Sequence, residues 1–277
     1  MHIPGLDVLN PDVPGPAVPG SVIPDSVIPG MVSWSFDPAA ARAFPCADAW
    51  LDQLSRSALG GAAPTPAPSE TPAETASNEG RICFGYSLGG LLGLLHMALH
   101  PGCWGRGVFL SPALRLKAHH RLLIRTLGGL VPDGMGLPSL APPHYRLHPR
   151  TTVAGYRGAA ELERRLAPHL RRWLAGNFAG LPPLFIAYAP GDELIDTRVL
   201  ADLALAAQAV GNPASGKPGA VHVHVLDHTP PRGVPVHLGL DSETLGAGEW
   251  ARLTDALQSW LGAPLPAPSP SRTRSDG

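Results

Sequence analysis

Four short runs constrain what this chain can fold into: residues 81–86, 105–110, 184–189 and 221–226. Each has about the length of a strand and falls short of the ten or more residues a buried helix needs. The first three are nearly continuous in apolar residues, and the fourth sets His222 and His224 at alternating positions. Helical patterns lie among and after them, at 91–99, 197–210 and 248–261. Short strands alternating with helices indicate parallel βαβ units. The expected class is therefore α/β, a mostly parallel sheet flanked by helices.

The remaining sequence is of other kinds. Of the 33 prolines and 32 glycines, many fall in residues 1–30, which cycle through Pro14-Gly15, Pro19-Gly20 and two copies of Ser-Val-Ile-Pro. Proline cannot donate to a strand ladder, so this segment reads as extended or disordered rather than as central sheet. Residues 31–59 read as a partial N-terminal piece of the core, with one strand near 31–36 and a short helix at 47–59. Residues 60–80 read as a flexible linker and 263–277 as a disordered tail. Between Leu114 and Gly180 no clear strand is visible, and the helical stretch 161–174 contains Pro168. Residues 115–180 therefore read as a helical cap inserted between two parts of the core, 81–114 and 181–262.

At 277 residues the chain can bury one sizeable core with a small cap. Its formal charge of −1 gives no general attraction to nucleic acid. No stretch of about 20 uncharged apolar residues occurs, so stable membrane insertion is not expected. The first ten residues lack the pattern of a secretory signal. Cys46, Cys83 and Cys103 are odd in number and widely spaced, which suits neither a disulfide framework nor a zinc site. A cytoplasmic setting fits these features, while the oligomeric state is left open. One region is strongly basic: from Arg115 to Arg172 there are eleven Lys or Arg against Asp133, Glu161 and Glu163. That excess reads either as a solvated outer face or as attraction for anionic substrates or a lipid surface. Leu122, Leu123, Ile124, Leu127, Leu130 and Val131 of the same region are candidates to line an acyl pocket.

The chemistry centres on Gly85-Tyr86-Ser87-Leu88-Gly89, a G-x-S-x-G pattern. The pattern alone is weak, and its context strengthens it. An apolar strand ends at Tyr86 and a helix begins at Leu88, where a serine on a strained turn would be presented to substrate. Gly89, Gly90 and Gly93 give that helix a small face able to approach the sheet closely. The alternative is an ordinary serine N-cap.

With Gly85-Tyr86-Ser87-Leu88-Gly89-Gly90 followed by Val108-Phe109-Leu110-Ser111-Pro112-Ala113, the chain resembles the α/β-hydrolases, particularly the carboxylesterase and monoacylglycerol-lipase branch. The resemblance implies a nucleophile, an acid and a base in that chain order. Ser87 is then the nucleophile, and the backbone N–H of Leu88 is an oxyanion donor. The acid falls just past the 184–189 strand at Asp192, with Glu193 and Asp196 as rivals. Asp196 also suits the start of a helix. The base follows the last strand, at His237, with His228 as the rival. His222 with His224, and His119 with His120, are the pairs a metal would use, but neither carries the accompanying spacing of a zinc site. No cofactor or metal is expected. The implied activity is hydrolysis of a small hydrophobic carboxylic ester through an acyl-enzyme. Thioesterase or amidase chemistry would use the same residues, and a catalytically weak or silent binding protein is the alternative class.

One part of that pattern is thin. The family places several strands before its nucleophile, and a loop after one of them supplies a second oxyanion N–H. Here 86 residues precede Ser87, much of that length is poor in strand formers, and residues 31–59 hold no His-Gly pair. A reduced or irregular N-terminal half-sheet is the expectation, with slow ester turnover and an exposed edge on the 81–86 strand.

Overall fold

In a computed structural model the chain is described over residues 6–9, 31–32, 47–48, 51–52, 54, 81–132, 135–138, 150–210, 221–227, 229–230, 234–239 and 242–262. Its strands are β1 (Leu6–Leu9), β2 (Met31–Val32), β3 (Ile82–Tyr86), β4 (Arg106–Leu110), β5 (Gly136–Pro138), β6 (Arg150–Thr152), β7 (Leu184–Tyr188) and β8 (Val221–Val225). Its helices are α1 (Leu88–Leu99), α2 (Ala118–Leu130), α3 (Val153–Leu174), α4 (Arg198–Val210), α5 (Ser242–Leu245) and α6 (Ala247–Gly262). The four runs that open the sequence argument are β3, β4, β7 and β8, and each pairs in parallel with the next.

The main sheet has the order β2-β1-β3-β4-β7-β8. Parallel strands need a crossover, and the intervening helices supply it. Because side chains alternate across a strand, each strand feeds two cores. Cys83, Phe109, Leu184 and Ile186 point into one, with Leu91, Leu92 and Leu95 of α1, Leu162 and Trp173 of α3, and Leu203 of α4. Phe84, Val108, Leu110 and Phe185 point into the other, under Leu253, Leu257 and Trp260 of α6. Arg106 fastens this second layer: its guanidinium donates to the carbonyls of Trp260 (2.8 Å) and Leu261 (2.5 Å) at the C-terminal end of α6. A helix C-terminus is where unsatisfied carbonyls and negative dipole charge favour a cation.

The N-terminal side departs from expectation in one respect. Leu6–Leu9, inside the segment read as extended or disordered rather than as central sheet, is a strand antiparallel to β3 in the register Leu6↔Gly85 to Leu9↔Ile82. It pairs on its other side with β2. Pro4 and Pro11 bracket this tetrapeptide without entering it, so the density of proline around it does not remove its own ladder donors. Among the described residues these two short strands are all that lies beyond β3. The edge of β3 is nevertheless covered. The linker and tail expected at 60–80 and 263–277 lie outside the described residues.

Residues 115–180 also organise differently from a single cap. α3 runs unbroken through Pro168, which is exposed, while Leu162, Leu166, Leu170 and Trp173 on the opposite face are buried against α1 and α4. Proline removes one backbone bond from a helix interior. Here the buried stripe holds the helix across that gap. Thr152 caps its start by accepting from Gly155 N–H at 3.2 Å. Gly176, at φ +81°, ends it in a left-handed turn with bonds from Gly176 to Trp173 and from Asn177 to Arg172. α3 thus belongs to the core layer, and among the described residues the excursion comprises α2 and the β5–β6 hairpin. That hairpin is a pair of three-residue strands where no strand was expected. Leu122, Leu123 and Leu130 of α2 are 66%, 54% and 79% exposed, so Leu123 and Leu130 face solvent rather than a closed acyl pocket. Among the described residues no helix is long and apolar enough to cross a membrane.

Candidate active site

The turn from β3 into α1 is tight because its neighbours have no side chains. A Cβ on Gly85 would stand 2.8 Å from the backbone of Gly89 and Gly90, and one on Gly90 would stand 2.8 Å from Pro112 Cβ. Both distances are below contact, so helix and strand close on each other as they do only with glycine at 85 and 90. Between them Ser87 adopts φ 51°, ψ −116°, a conformation that costs a non-glycine residue roughly 1–3 kcal/mol. Its backbone is pinned by Ser87 N–H donating to Leu110 (3.0 Å) and by Ala113 N–H donating to Ser87 C=O (2.9 Å). Ser87 occupies the N-cap position of α1 yet makes no side-chain capping bond. Instead its Oγ lies 2.7 Å from Nε2 of His237.

His237 sits on a 3₁₀ turn, Val236–Leu238, and is 3% exposed. Its Nδ1 is 2.6 Å from Oδ2 of Asp192, which is fully buried just past the end of β7. The other carboxylate oxygen of Asp192 accepts from the N–H groups of Leu194 (2.8 Å) and Ile195 (3.0 Å). With Nδ1–H donating to Asp192, Nε2 is left as the acceptor for the serine hydroxyl. Leu88 is the first residue of α1, so its N–H has no partner in its own helix and opens beside Ser87.

Two further residues hold the histidine: Tyr86, which the sequence did not single out, and Glu193, weighed there as a rival acid. Tyr86 donates its hydroxyl to the carbonyl of His237 at 2.9 Å, its ring centroid 5.2 Å from the imidazole. Burial, followed by the nearby carboxylates of Asp192 and Glu193, pushes the Tyr86 phenol well above its ordinary range, so it stays a donor. Glu193 accepts from His237 N–H at 3.4 and 3.5 Å. The clue to Tyr86 is its place between Gly85 and Ser87, where a buried phenol needs a partner for its hydroxyl.

Asp196 is not part of this group; it pairs with Arg198 at 2.9 Å just before α4. His228 and most of residues 31–59, where a loop with a second oxyanion donor was looked for, lie outside the described residues. His222 stacks on Phe185, His224 lies 3.6 Å from Glu249, and the rings of His119 and His120 meet at 47° with centroids 4.1 Å apart. Among the described residues no group of three or more His, Cys, Asp or Glu is placed to hold a metal ion.

Parallel β3, β4, β7 and β8 with helices on both faces, a strained serine between β3 and α1, an acid after β7 and a histidine after β8 decide the architecture. It is a mostly parallel α/β sheet covered by helices on both faces, the architecture that the resemblance to the α/β-hydrolases led us to expect. No family model and no curated protein matches the chain. Among solved structures it is similar to a monoacylglycerol lipase of Paleococcus ferrophilus, at 16% identity over 78% of this chain and 75% of that one, with a TM-score of 0.49. It is also similar to a soluble variant of the Saccharomyces cerevisiae monoglyceride lipase, at 13% identity over 64% of this chain and 60% of that one, TM-score 0.42. A third similar structure is an esterase from Rhodococcus sp., at 14% identity over 87% and 84% of the two chains, TM-score 0.37.

Proposed function

We propose that this protein is a serine hydrolase that cleaves a carboxylic ester through an acyl-enzyme, with Ser87, His237 and Asp192 as its triad. The observation that carries this reading is the 2.7 Å approach of Ser87 Oγ to His237 Nε2 while the serine backbone is held in a strained conformation. A serine hydroxyl is a poor nucleophile until a base accepts its proton. His237 Nε2 takes that proton as Oγ bonds to the ester carbonyl carbon, and Asp192 stabilises the imidazolium and fixes its tautomer. The carbonyl oxygen becomes an oxyanion that accepts from Leu88 N–H. When the tetrahedral intermediate collapses, the carbon–oxygen bond to the leaving alcohol breaks and His237 gives its proton to that oxygen. Water then repeats the sequence on the acyl-serine, releasing the acid and restoring Ser87. The substrate is a small hydrophobic ester, and no cofactor takes part in any step.

Labelling with a fluorophosphonate probe, together with hydrolysis of short p-nitrophenyl esters, tests the reading. Wild-type protein should label at Ser87 and turn over ester. Ser87→Ala should lose both, with turnover down by several orders of magnitude and an unchanged melting temperature. Full activity in Ser87→Ala removes Ser87 from the mechanism. An unlabelled, inactive wild-type protein would make this a hydrolase fold used for binding.

A further inference from the structure

The basic excess seen in the sequence is concentrated on one concave surface. A groove of about 860 Å³ runs between α2 and α3 and is floored by the segment that leads into α2. Of its 17 lining residues six are arginine and two are glutamate, a balance of 6 − 2 = +4. The arginines come from separate elements: Arg115 from the floor, Arg121 and Arg125 from α2, and Arg171 among those from α3. Glu161 is already engaged by Arg164 and by Arg165 at 2.6 and 2.8 Å. Glu163 is left as the groove's main internal anion, with Arg121 at 3.8 Å and Arg115 and Arg125 nearby. The rest of the lining is largely apolar and includes Leu122 and Ile124. A volume of this size suits a small-molecule ligand. The guanidinium fork matches the paired oxygens of a carboxylate or phosphate. None of Ser87, His237 or Asp192 lines the groove.

We propose that the groove between α2 and α3 binds a single-chain anionic amphiphile, its phosphate or carboxylate head held among Arg115, Arg121 and Arg125 and its chain lying along Leu122 and Ile124. The charge excess selects the sign of the ligand, and the apolar lining selects a chain over a bare ion. The arginines and the apolar side chains line a concave groove between two helices rather than a flat face, which favours a dissolved amphiphile over a bilayer as the occupant. The site stands apart from the triad, so it holds whether or not Ser87 attacks an ester.

Titration calorimetry on full-length Ser87→Ala protein tests this, with decyl phosphate kept below its micelle concentration. Decanol, inorganic phosphate and anionic phosphatidylglycerol vesicles are the comparison ligands. Decyl phosphate should bind one per chain and weaken as salt is raised. Decanol and inorganic phosphate should each bind at least about tenfold less tightly. The double variant Arg121→Gln, Arg125→Gln should bind decyl phosphate about five- to tenfold more weakly, while Glu163→Gln, which removes the internal anion, should bind it about two- to fivefold more tightly. Opposite shifts from two substitutions in one groove exclude a general loss of folding. No saturable binding of decyl phosphate, or equal affinity in all three proteins, overturns the proposal. Binding to vesicles without binding to monomeric decyl phosphate also overturns it, because the arginines would then belong to a membrane-facing surface.

Discussion

Tyr86 and Glu193 grip the backbone of His237 from its two sides, the phenol at the carbonyl and the carboxylate at the N–H. In the proposed role of base, His237 must meet Ser87 at 2.7 Å and Asp192 at 2.6 Å and tolerates little movement of the turn that carries it. Tyr86→Phe removes the hydroxyl and keeps the ring against the imidazole. With one hydrogen bond contributing about 1 kcal/mol, kcat should fall roughly threefold to tenfold with KM little changed. Steady-state kinetics on a p-nitrophenyl ester reads this directly, and an unchanged kcat would show that packing alone positions the base. Gly85→Ala makes a different demand. Its new methyl would meet backbone atoms of Gly89 and Gly90 at 2.8 Å, and backbone cannot rotate away as a side chain can. The β3–α1 turn should open at a cost of about 1–3 kcal/mol, typical of overpacking. The melting temperature should drop and turnover should fall with it. A variant as stable and as active as wild type would mean that this close approach is not needed.

α1 carries a buried histidine that makes its packing depend on pH. His96 is 1% exposed, and its Nδ1 accepts from Trp104 Nε1–H at 2.9 Å, an arrangement that needs the neutral ring. Burial first, then the neighbouring His100, lowers His96 from its ordinary 6.5 to about 4. Below pH ~6.5 the unfolded chain binds a proton that the folded chain refuses. The stability contributed by the neutral ring is therefore fully present above that pH and is lost as pH falls through about 4. His96→Gln retains an acceptor for Trp104 without titrating. Urea unfolding between about pH 7.5 and about pH 4.5 should show wild type losing more stability than the variant. His120, His169 and His222 are also lowered by burial but are common to both proteins, so they cancel in the difference. Parallel pH profiles would contradict a neutral, buried His96. The elements themselves differ in how readable they are. β3, β4 and β7 announce themselves because a strand covered on both faces is built almost wholly of apolar residues, Arg106 at the start of β4 being the exception. α3 was only partly legible, since Pro168 marks a break in local terms and only the distant partners of Leu162 and Trp173 show why the helix continues. The positions of Ser87, Asp192 and His237 follow from a motif and from strand ends. The grip of Tyr86 and Glu193 on His237 depends on a turn 151 and 44 residues away in the chain, which no local pattern encodes.

At the scale of the whole molecule, the sheet formed by the described residues is lopsided. Four parallel strands lie on the β8 side, and beyond β3 the described residues add only β1 and β2, with β1 running against β3. β3 delivers Ser87, so its outer edge matters to the site as well as to solubility. An uncovered strand edge presents a row of unpaired N–H and C=O groups to other chains. Leu6–Leu9 covers that edge, and the register places Asp7 opposite Phe84 and Val8 opposite Cys83. Alternate residues of a strand direct their hydrogen bonds to opposite neighbours. Replacing both Asp7 and Val8 by proline therefore removes a ladder donor toward β3 whichever of the two faces it, and another toward β2. The double variant should expose the β3 edge, shift the protein toward self-association in light scattering, and lower its melting temperature. Ester turnover measured at dilutions where it stays monomeric should also fall, because the strand leading into Ser87 loses one of its two neighbours. A double-proline variant with the size distribution, melting temperature and turnover of wild type would show that β3 relies on β4 alone and that β1 contributes nothing to the sheet.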